Sequence, residues 1–424
     1  MQREEADVVV VGAGPAGAAA ARAAADAGAH VVLLEKTTFP RDKVCGDGLT
    51  PKGVAALHRL GLSTRQEDGW VHNRGLRVIG GGMRLELPWP DLVGMPAYGA
   101  VRPRRDLDEY VARHAQAGGA DLREGWNVSG PLRDDDGRVV GVAARTGRGA
   151  DAEEHEVRAP VVIAADGSSA RMALSVERRR REDRPMGVAY RRYHTSPRHD
   201  DDHLESWLEL WEGEPGRSRL LPGYGWLFGL GDGTVNVGLG ILSSSEAFQA
   251  VDYRRLLDTW LATLPPEWEL TPETATSTTR GGALPMGFNR NPLVGDGLVL
   301  TGDAGGAVNP MNGEGIAYAL DSGRLAGWAA AEALAAATPA ERDAVLARYP
   351  ERLRDEWGGY FTLGRVFVAL IGQPWIMRLA TQHGMPHPVL MRFVLKLLAG
   401  MYEPRGGDAT DRVISALTRL APAA

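Results

Sequence analysis

One cysteine and four lysines are the scarcest features of this 424-residue chain, and both scarcities narrow its chemistry. With Cys45 alone, neither an internal disulfide nor a CxxC redox pair can exist. Lysine stands only at positions 36, 43, 52 and 396, so nearly all positive charge is arginine. No uninterrupted apolar run reaches the ~20 residues that a spanning helix needs. The opening residues lack the pattern of a secretory signal. A formal net charge of −6 argues against nucleic acid as a partner, and no metal site is expected. The expectation is a cytoplasmic protein that meets the inner face of the cell membrane peripherally, if at all. With 44% hydrophobic and 24% charged residues the composition is that of a globular protein, and the length suits two or three domains.

What is present is concentrated between Asp7 and Lys36. Val8 to Val11 is too short and too β-branched for a helix and reads as a strand buried on both faces of a parallel sheet. The chain then turns through Gly12-Ala13-Gly14-Pro15-Ala16-Gly17 into an alanine-rich helix ending near Gly28, and a second apolar strand, Val31 to Leu34, ends at Glu35. Gly12 permits the tight turn, Gly14 lets backbone approach a pyrophosphate, and Gly17 lets helix and strand pack closely. Free N–H groups and the helix dipole favour phosphate charge there. Glu35 suits the adenosine ribose hydroxyls, and its charge repels an extra 2′-phosphate. The full strand–loop–helix–strand–acid unit points to dinucleotide binding.

Beyond Lys36, prolines and glycines mark an ordered loop to Pro51, followed by a helix from about Lys52 to Gly61. Residues 70 to 100 suggest short antiparallel strands. A helix spans Val101 to about Ala117 with Asp106 as its expected N-cap. Strands follow near Asp121 and over Val139–Arg145, with a hairpin turn at Asp134–Gly137. Val161 begins a second buried strand that delivers Asp166 and Gly167 to the edge where ligands gather in open parallel sheets. Glu177 to Arg184, ERRRREDR, reads as a solvated charge run. Residues 186 to 280 look like another antiparallel sheet, with a helix at 246 to 263. Leu298 to Thr301 leads through Gly302-Asp303 and on to Asn309–Gly315 into a helix reaching about Ala337. The remainder is helical, with apolar stretches at Tyr360–Gly372 and Pro388–Met401 that read first as core packing, with the roof of a tunnel or a surface resting on a membrane as alternatives.

The order Gly12–Glu35, Asp166-Gly167, Gly302-Asp303 resembles the FAD-dependent group that includes aromatic hydroxylases, flavin halogenases and geranylgeranyl reductases. The resemblance spans residues 6 to 340. It implies an α/β fold: a Rossmann-type FAD-binding domain (1–75, 101–175 and 280–340), an inserted antiparallel-sheet substrate domain (76–100 and 176–279) and a C-terminal helical region (341–424). It implies cofactor contacts from Gly12, Gly14, Ala16, Gly17, Glu35, Lys36, Cys45, Gly46, Asp47, Asp166, Gly302, Asp303, Gly313, Gly315 and Ile316. The arginine ahead of the Leu-Asp pair, best matched by Arg104 with Arg102 and Arg105 as rivals, joins them. Within the group, Lys43–Pro51 (KVCGDGLTP), Pro222–Phe228 (PGYGWLF) and Asn309–Gly315 (NPMNGEG) are similar to the geranylgeranyl reductase family, in particular its actinobacterial menaquinone-reducing branch. Gly229 departs from that family, where a proline usually follows the aromatic motif.

The implied reaction saturates an isoprenoid carbon–carbon double bond, in a menaquinone tail or a geranylgeranyl lipid, with a hydride from reduced flavin N5 and a proton on the neighbouring carbon. The loop before Ile316 can present N–H groups to the flavin edge and stabilise an anionic hydroquinone. Tyr224, Trp226 and Phe228 alternate along a strand and so share one face, suited either to sheet packing or to a substrate wall that steadies positive charge at carbon. Cys45 is the candidate proton donor, since a thiol of ordinary pKa stays protonated at neutral pH. Two alternatives share parts of the pattern: an FAD-dependent aromatic monooxygenase, and a non-catalytic prenyl-lipid carrier. A halogenase fits less well, because no lysine lies between Lys52 and Lys396. A second GxGxxG loop is missing, so electrons must come from an external donor, NAD(P)H or an electron-donor protein.

Overall fold

Four consecutive valines define the centre of the molecule. In the computed structural model, which describes residues 2–147, 149–243, 247–371 and 373–422, Val8–Val11 lies buried in a six-stranded sheet. The strand order is Val294–Gly295, Leu298–Leu300, Val161–Ala164, Val8–Val11, Val31–Glu35, Asp121–Glu124, and only the first pair is antiparallel. Buried on both faces, these strands need unbroken apolar runs, which Val, Ile and Leu supply. Helices Pro15–Asp26 and Ile316–Leu334 meet backbone to backbone beside the sheet. A Cβ on Gly323 would sit 2.0 Å from the Ala16 carbonyl oxygen, and one on Gly327 2.2 Å from that of Ala20. A small sheet of Gln2–Glu5, Glu153–Arg158, Val139–Thr146 and Asn127–Arg133 flanks this unit. Its hairpin turns where the Asp134 carboxylate accepts from the Asp136 and Arg138 N–H groups.

The second large sheet has seven strands, ordered Arg280–Pro285, Met186–Thr195, Thr234–Leu242, Gly223–Gly229, His203–Trp207, Gly75–Gly80, Met83–Pro88. Only His203–Trp207 against Gly75–Gly80 is parallel. Arg280–Pro285, which the sequence places with the nucleotide unit, hydrogen-bonds along Met186–Arg191 and forms the edge of this wide sheet. The last part of the chain returns as helices, including Gly359–Ile371, Pro374–Leu379, Pro388–Ala399 and Ala409–Leu420. Tyr349, Trp357, Tyr360 and Phe361 tie them to the nucleotide-side core through Phe288 and Tyr318.

Several local expectations change. Helix Arg104–Ala117 is entered from Pro103, and Asp106 lies in its first turn instead of capping it; a proline φ already suits a helix entrance. The expected helix at 246–263 is two, Ala247–Ala250 and Tyr253–Leu261, because Asp252 caps the second by accepting from Arg254 and Arg255 N–H. Glu246 and Gly372, the ends of two expected segments, lie outside the described residues. Within the charge run Arg178 is buried, donating to the carbonyls of Gly295 and Leu298, so that part of the run is not a solvated face.

Candidate active site

A cavity of about 1080 Å³ runs from the C-terminal edge of the six-stranded sheet, across the face of the wide sheet, to the C-terminal helices. Gly12, Gly14, Ala16, Glu35, Lys36, Cys45, Gly46, Arg104, Asp166, Asp303, Gly313, Gly315 and Ile316 all line it, as do Tyr224, Trp226 and Phe228. Three expected cofactor contacts do not. Gly17 faces the loop's own backbone: a Cβ there would lie 1.8 Å from the Gly12 carbonyl oxygen. Gly302, at φ +59°, packs where a Cβ would meet that of Ala16 at 2.7 Å. Asp47 is fully buried behind Cys45.

At the nucleotide end, helix Pro15–Asp26 starts with no side-chain cap, leaving first-turn N–H groups for a ligand. Glu35 Oε2 accepts from Ala13 N at 3.1 Å and Arg41 Nη2 at 3.2 Å, and Oε1 from the Thr37 hydroxyl at 2.9 Å. Arg41 also reaches Asp108 Oδ2 at 2.7 Å, and Asp108 holds Arg104 through two further bonds of 2.6 and 2.9 Å. This separates the three arginine rivals. Arg104 is buried on the cavity wall, Arg102 lies over the Trp70 and Tyr110 rings, and Arg105 is exposed beside Asp106. Asp166 Oδ2 accepts from Met172 N, while its buried Oδ1 has no partner among the described residues. An orphaned carboxylate oxygen, an uncapped helix start and a side-chain-free approach at Gly14 fit the ribityl–pyrophosphate body of FAD.

Where the two sheets face each other, the rings of Tyr224, Trp226 and Phe228 follow one another at 6.1 and 6.5 Å between centroids. The Tyr224 hydroxyl donates to the Asn312 carbonyl at 2.7 Å, and burial pushes its pKa to about 12. Cys45 stands at this junction, half-buried. Burial raises its pKa, with Arg104 opposing, so the group holds its proton at neutral pH. Its position is set from behind. Asp47, at φ +66°, accepts from Arg104 N at 3.0 Å, the Tyr193 hydroxyl at 2.7 Å and Asn236 Nδ2 at 2.7 Å. Asn236 also donates to the Cys45 carbonyl at 2.8 Å and accepts from Trp226 Nε1 at 2.9 Å. Burial lifts the Asp47 carboxyl to about 6 despite these bonds.

Five further residues bear on the site without a role assigned from sequence: Glu314 lines the cavity, whereas Lys52, Asp108, Tyr193 and Asn236 do not. Glu314 Oε1 accepts from the Thr50 hydroxyl at 2.8 Å, its Oε2 is buried without a partner, and burial raises its pKa. Lys52 donates to the Tyr318 hydroxyl at 3.0 Å, and burial lowers its pKa. Glu314 sits inside a motif that had been singled out, and Asp108 four residues after Arg104 is a readable helical ion pair. Tyr193 and Asn236 had no local signal, since only the register of their two strands sets them opposite each other. The apolar far end comes from Met377, Met391 and Leu395 of the C-terminal helices and Met385 of the turn between them.

Fold and site together define an FAD-dependent oxidoreductase. Residues 5–214 match the family model for an FAD binding domain. The menaquinone reductase of Mycobacterium tuberculosis H37Rv is 37% identical over 97% of this chain and 95% of its own length. Digeranylgeranylglycerophospholipid reductase 1 of Methanopyrus kandleri is 33% identical over 83% and 86%. Among solved structures, a geranylgeranyl bacteriochlorophyll reductase-like protein of Thermoplasma acidophilum aligns with a TM-score of 0.73 at 21% identity, covering 93% of this chain and all of that one, a likeness of fold. The chain belongs to the geranylgeranyl reductase family of FAD-dependent oxidoreductases, with menaquinone reductases among its relatives.

Proposed function

We propose that this protein saturates a double bond in the polyisoprenoid tail of menaquinone. The observation that carries this reading is the continuity of the cavity: one space joins the dinucleotide loops to an apolar end framed by helices, with Cys45 and three aromatic rings at the junction. Gly14, Ala16, Glu35, Arg104 and Asp166 would hold FAD, which when reduced supplies the hydride. The aromatic faces of Tyr224, Trp226 and Phe228 position the isoprene unit and steady positive charge developing at carbon. Cys45 holds a proton at Sγ beside that wall, and the Asp47–Asn236–Tyr193 network fixes the loop that carries it. Met391, Leu395 and their neighbours exclude water from the tail. Electrons come from an external donor, NAD(P)H or an electron-donor protein, because the chain has a single dinucleotide loop. A tail of this kind resides in a bilayer, so the protein works as a peripheral visitor to the inner face of the cell membrane.

The test is anaerobic. Dithionite-reduced holoprotein is incubated with menaquinone and, separately, with geranylgeranyl diphosphate, and products are weighed by mass spectrometry. A gain of two hydrogens on the menaquinone tail is expected. An oxygenated product on admitting air, with no anaerobic saturation, would move the protein to the monooxygenases.

A further inference from the structure

From Trp357 to Tyr402 this net-acidic chain carries no aspartate or glutamate, while Arg365, Arg378, Arg392 and Lys396 all fall within the stretch. The same stretch holds six of the twelve large hydrophobic side chains that stand exposed among the described residues. Val366 and Leu370 lie one turn apart on helix Gly359–Ile371, and Trp375 and Leu379 one turn apart on Pro374–Leu379. Val389 and Leu390 open helix Pro388–Ala399. Trp375 is 65% exposed and Val389 72%, values far from those of core residues. Of the cations, Lys396 is engaged by Asp408 and Asp411, but Arg378 and Arg392 are exposed and make no ion pair among the described residues.

These helices have two faces with different roles. Phe367, Ile371, Met377 and Met391 point into the cavity, whereas Val366, Leu370, Trp375, Leu379 and Val389 do not line it. Leu390 belongs to both sets, lining the cavity while 44% exposed, so the apolar end of the cavity reaches the surface within this patch. Among the described residues no helix is long and apolar enough to cross a membrane. Short helices with a tryptophan, aliphatic side chains and unpaired arginines instead match an element lying in the plane of an anionic lipid surface.

We propose that helices Gly359–Ile371, Pro374–Leu379 and the start of Pro388–Ala399 form a docking face for an anionic bilayer, placed around the mouth through which the lipid tail enters. The inference rests on the prenyl-lipid reading and adds the face and its charge preference. The aliphatic and tryptophan side chains enter the headgroup–acyl boundary, Arg378 and Arg392 meet lipid phosphates, and the stretch itself adds no acid to repel them, although Glu209 from outside it accepts from the Thr381 hydroxyl.

The experiment is vesicle co-sedimentation of the FAD-loaded protein without turnover, on phosphatidylcholine vesicles with and without 40% phosphatidylglycerol. Anionic vesicles should bind it at least about tenfold more tightly than neutral ones, with binding that weakens as salt rises. Trp375→Glu with Leu379→Glu should abolish sedimentation, and Arg378→Glu with Arg392→Glu should remove the preference for phosphatidylglycerol. Both double variants should keep wild-type FAD content and wild-type rates on a short, detergent-dispersed prenyl substrate, since none of the four residues lines the cavity. Vesicle binding unchanged by both pairs would overturn the proposal. So would an apolar patch that buries itself in a concentration-dependent dimer, seen by sedimentation velocity, without binding vesicles. Binding without any saturated product would leave the docking face standing and count against the reductase reading alone.

Discussion

Cys45, Asp47 and Asp166 meet three different environments: a half-buried thiol, a fully buried carboxyl, and a carboxylate with one buried oxygen unpartnered among the described residues. Replacing Cys45 by serine keeps the size and removes the thiol proton. FAD content should stay at wild-type level while single-turnover oxidation of the reduced protein by substrate slows about 100-fold, the lower range for a general acid. An unchanged rate would retire the thiol as proton donor. Asp166→Ala removes the carboxylate whose Oδ1 has no partner among the described residues. FAD should then bind about 10- to 100-fold more weakly, the effect of one lost charge-assisted hydrogen bond, as read by fluorescence titration of the apoprotein. Asp47 gives a pH signature. Its folded pKa of about 6 lies above the ~3.9 of an unfolded chain, so the native state binds the proton more tightly. Stability from this group is therefore present at low pH and lost as pH rises from about 4 to about 6. Wild type minus Asp47→Asn should lose about 3 kcal/mol across that window in denaturant unfolding. A difference that is flat with pH would contradict the assignment.

At the scale of elements, the contact between helices Pro15–Asp26 and Ile316–Leu334 has no room for side chains. Gly323→Val should cost roughly 1–3 kcal/mol by overpacking, and because it presses on Ala16 it should lower FAD affinity as well as Tm. A loss of Tm with unaltered FAD affinity would separate helix packing from the loop. These elements were legible in the sequence for a physical reason: their instructions are local. Val8–Val11 announces a strand buried on two faces, and Gly12, Gly14 and Gly17 announce a turn that needs small residues. Elements organised by distant partners were not. The resemblance groups residues 280–340 with the nucleotide segments, whereas Arg280–Pro285 pairs with Met186–Arg191 as an edge strand of the wide sheet. Arg178 looks like part of a solvated charge run until its carbonyl partners fold around it.

Across the whole molecule, the cavity joins three parts of the chain that lie far apart in sequence, and its two ends were unequally readable. The dinucleotide end follows from loop chemistry, so FAD and most of the residues that line this end are readable from the sequence. The apolar end is built from Met377, Met391, Val394 and Leu395, side chains whose composition alone suggests ordinary core. Periodicity reports that a helix hides one face, not whether that face meets protein or an invited lipid. Val394→Trp should therefore slow reduction of long-tailed menaquinone at least about tenfold while leaving FAD content and the rate on a short prenyl substrate near wild type. Equal slowing on both substrates would place the tail elsewhere.

Asn236 clasps the indole of Trp226 with one end of its amide and the Cys45–Asp47 segment with the other. The aromatic wall proposed for the lipid and the loop bearing the thiol are thereby tied through one side chain. If the proposed roles hold, refitting the pocket for a foreign lipid by changing Trp226 would also shift the thiol proposed as the acid, so a change of appetite and a change of tempo would arrive together.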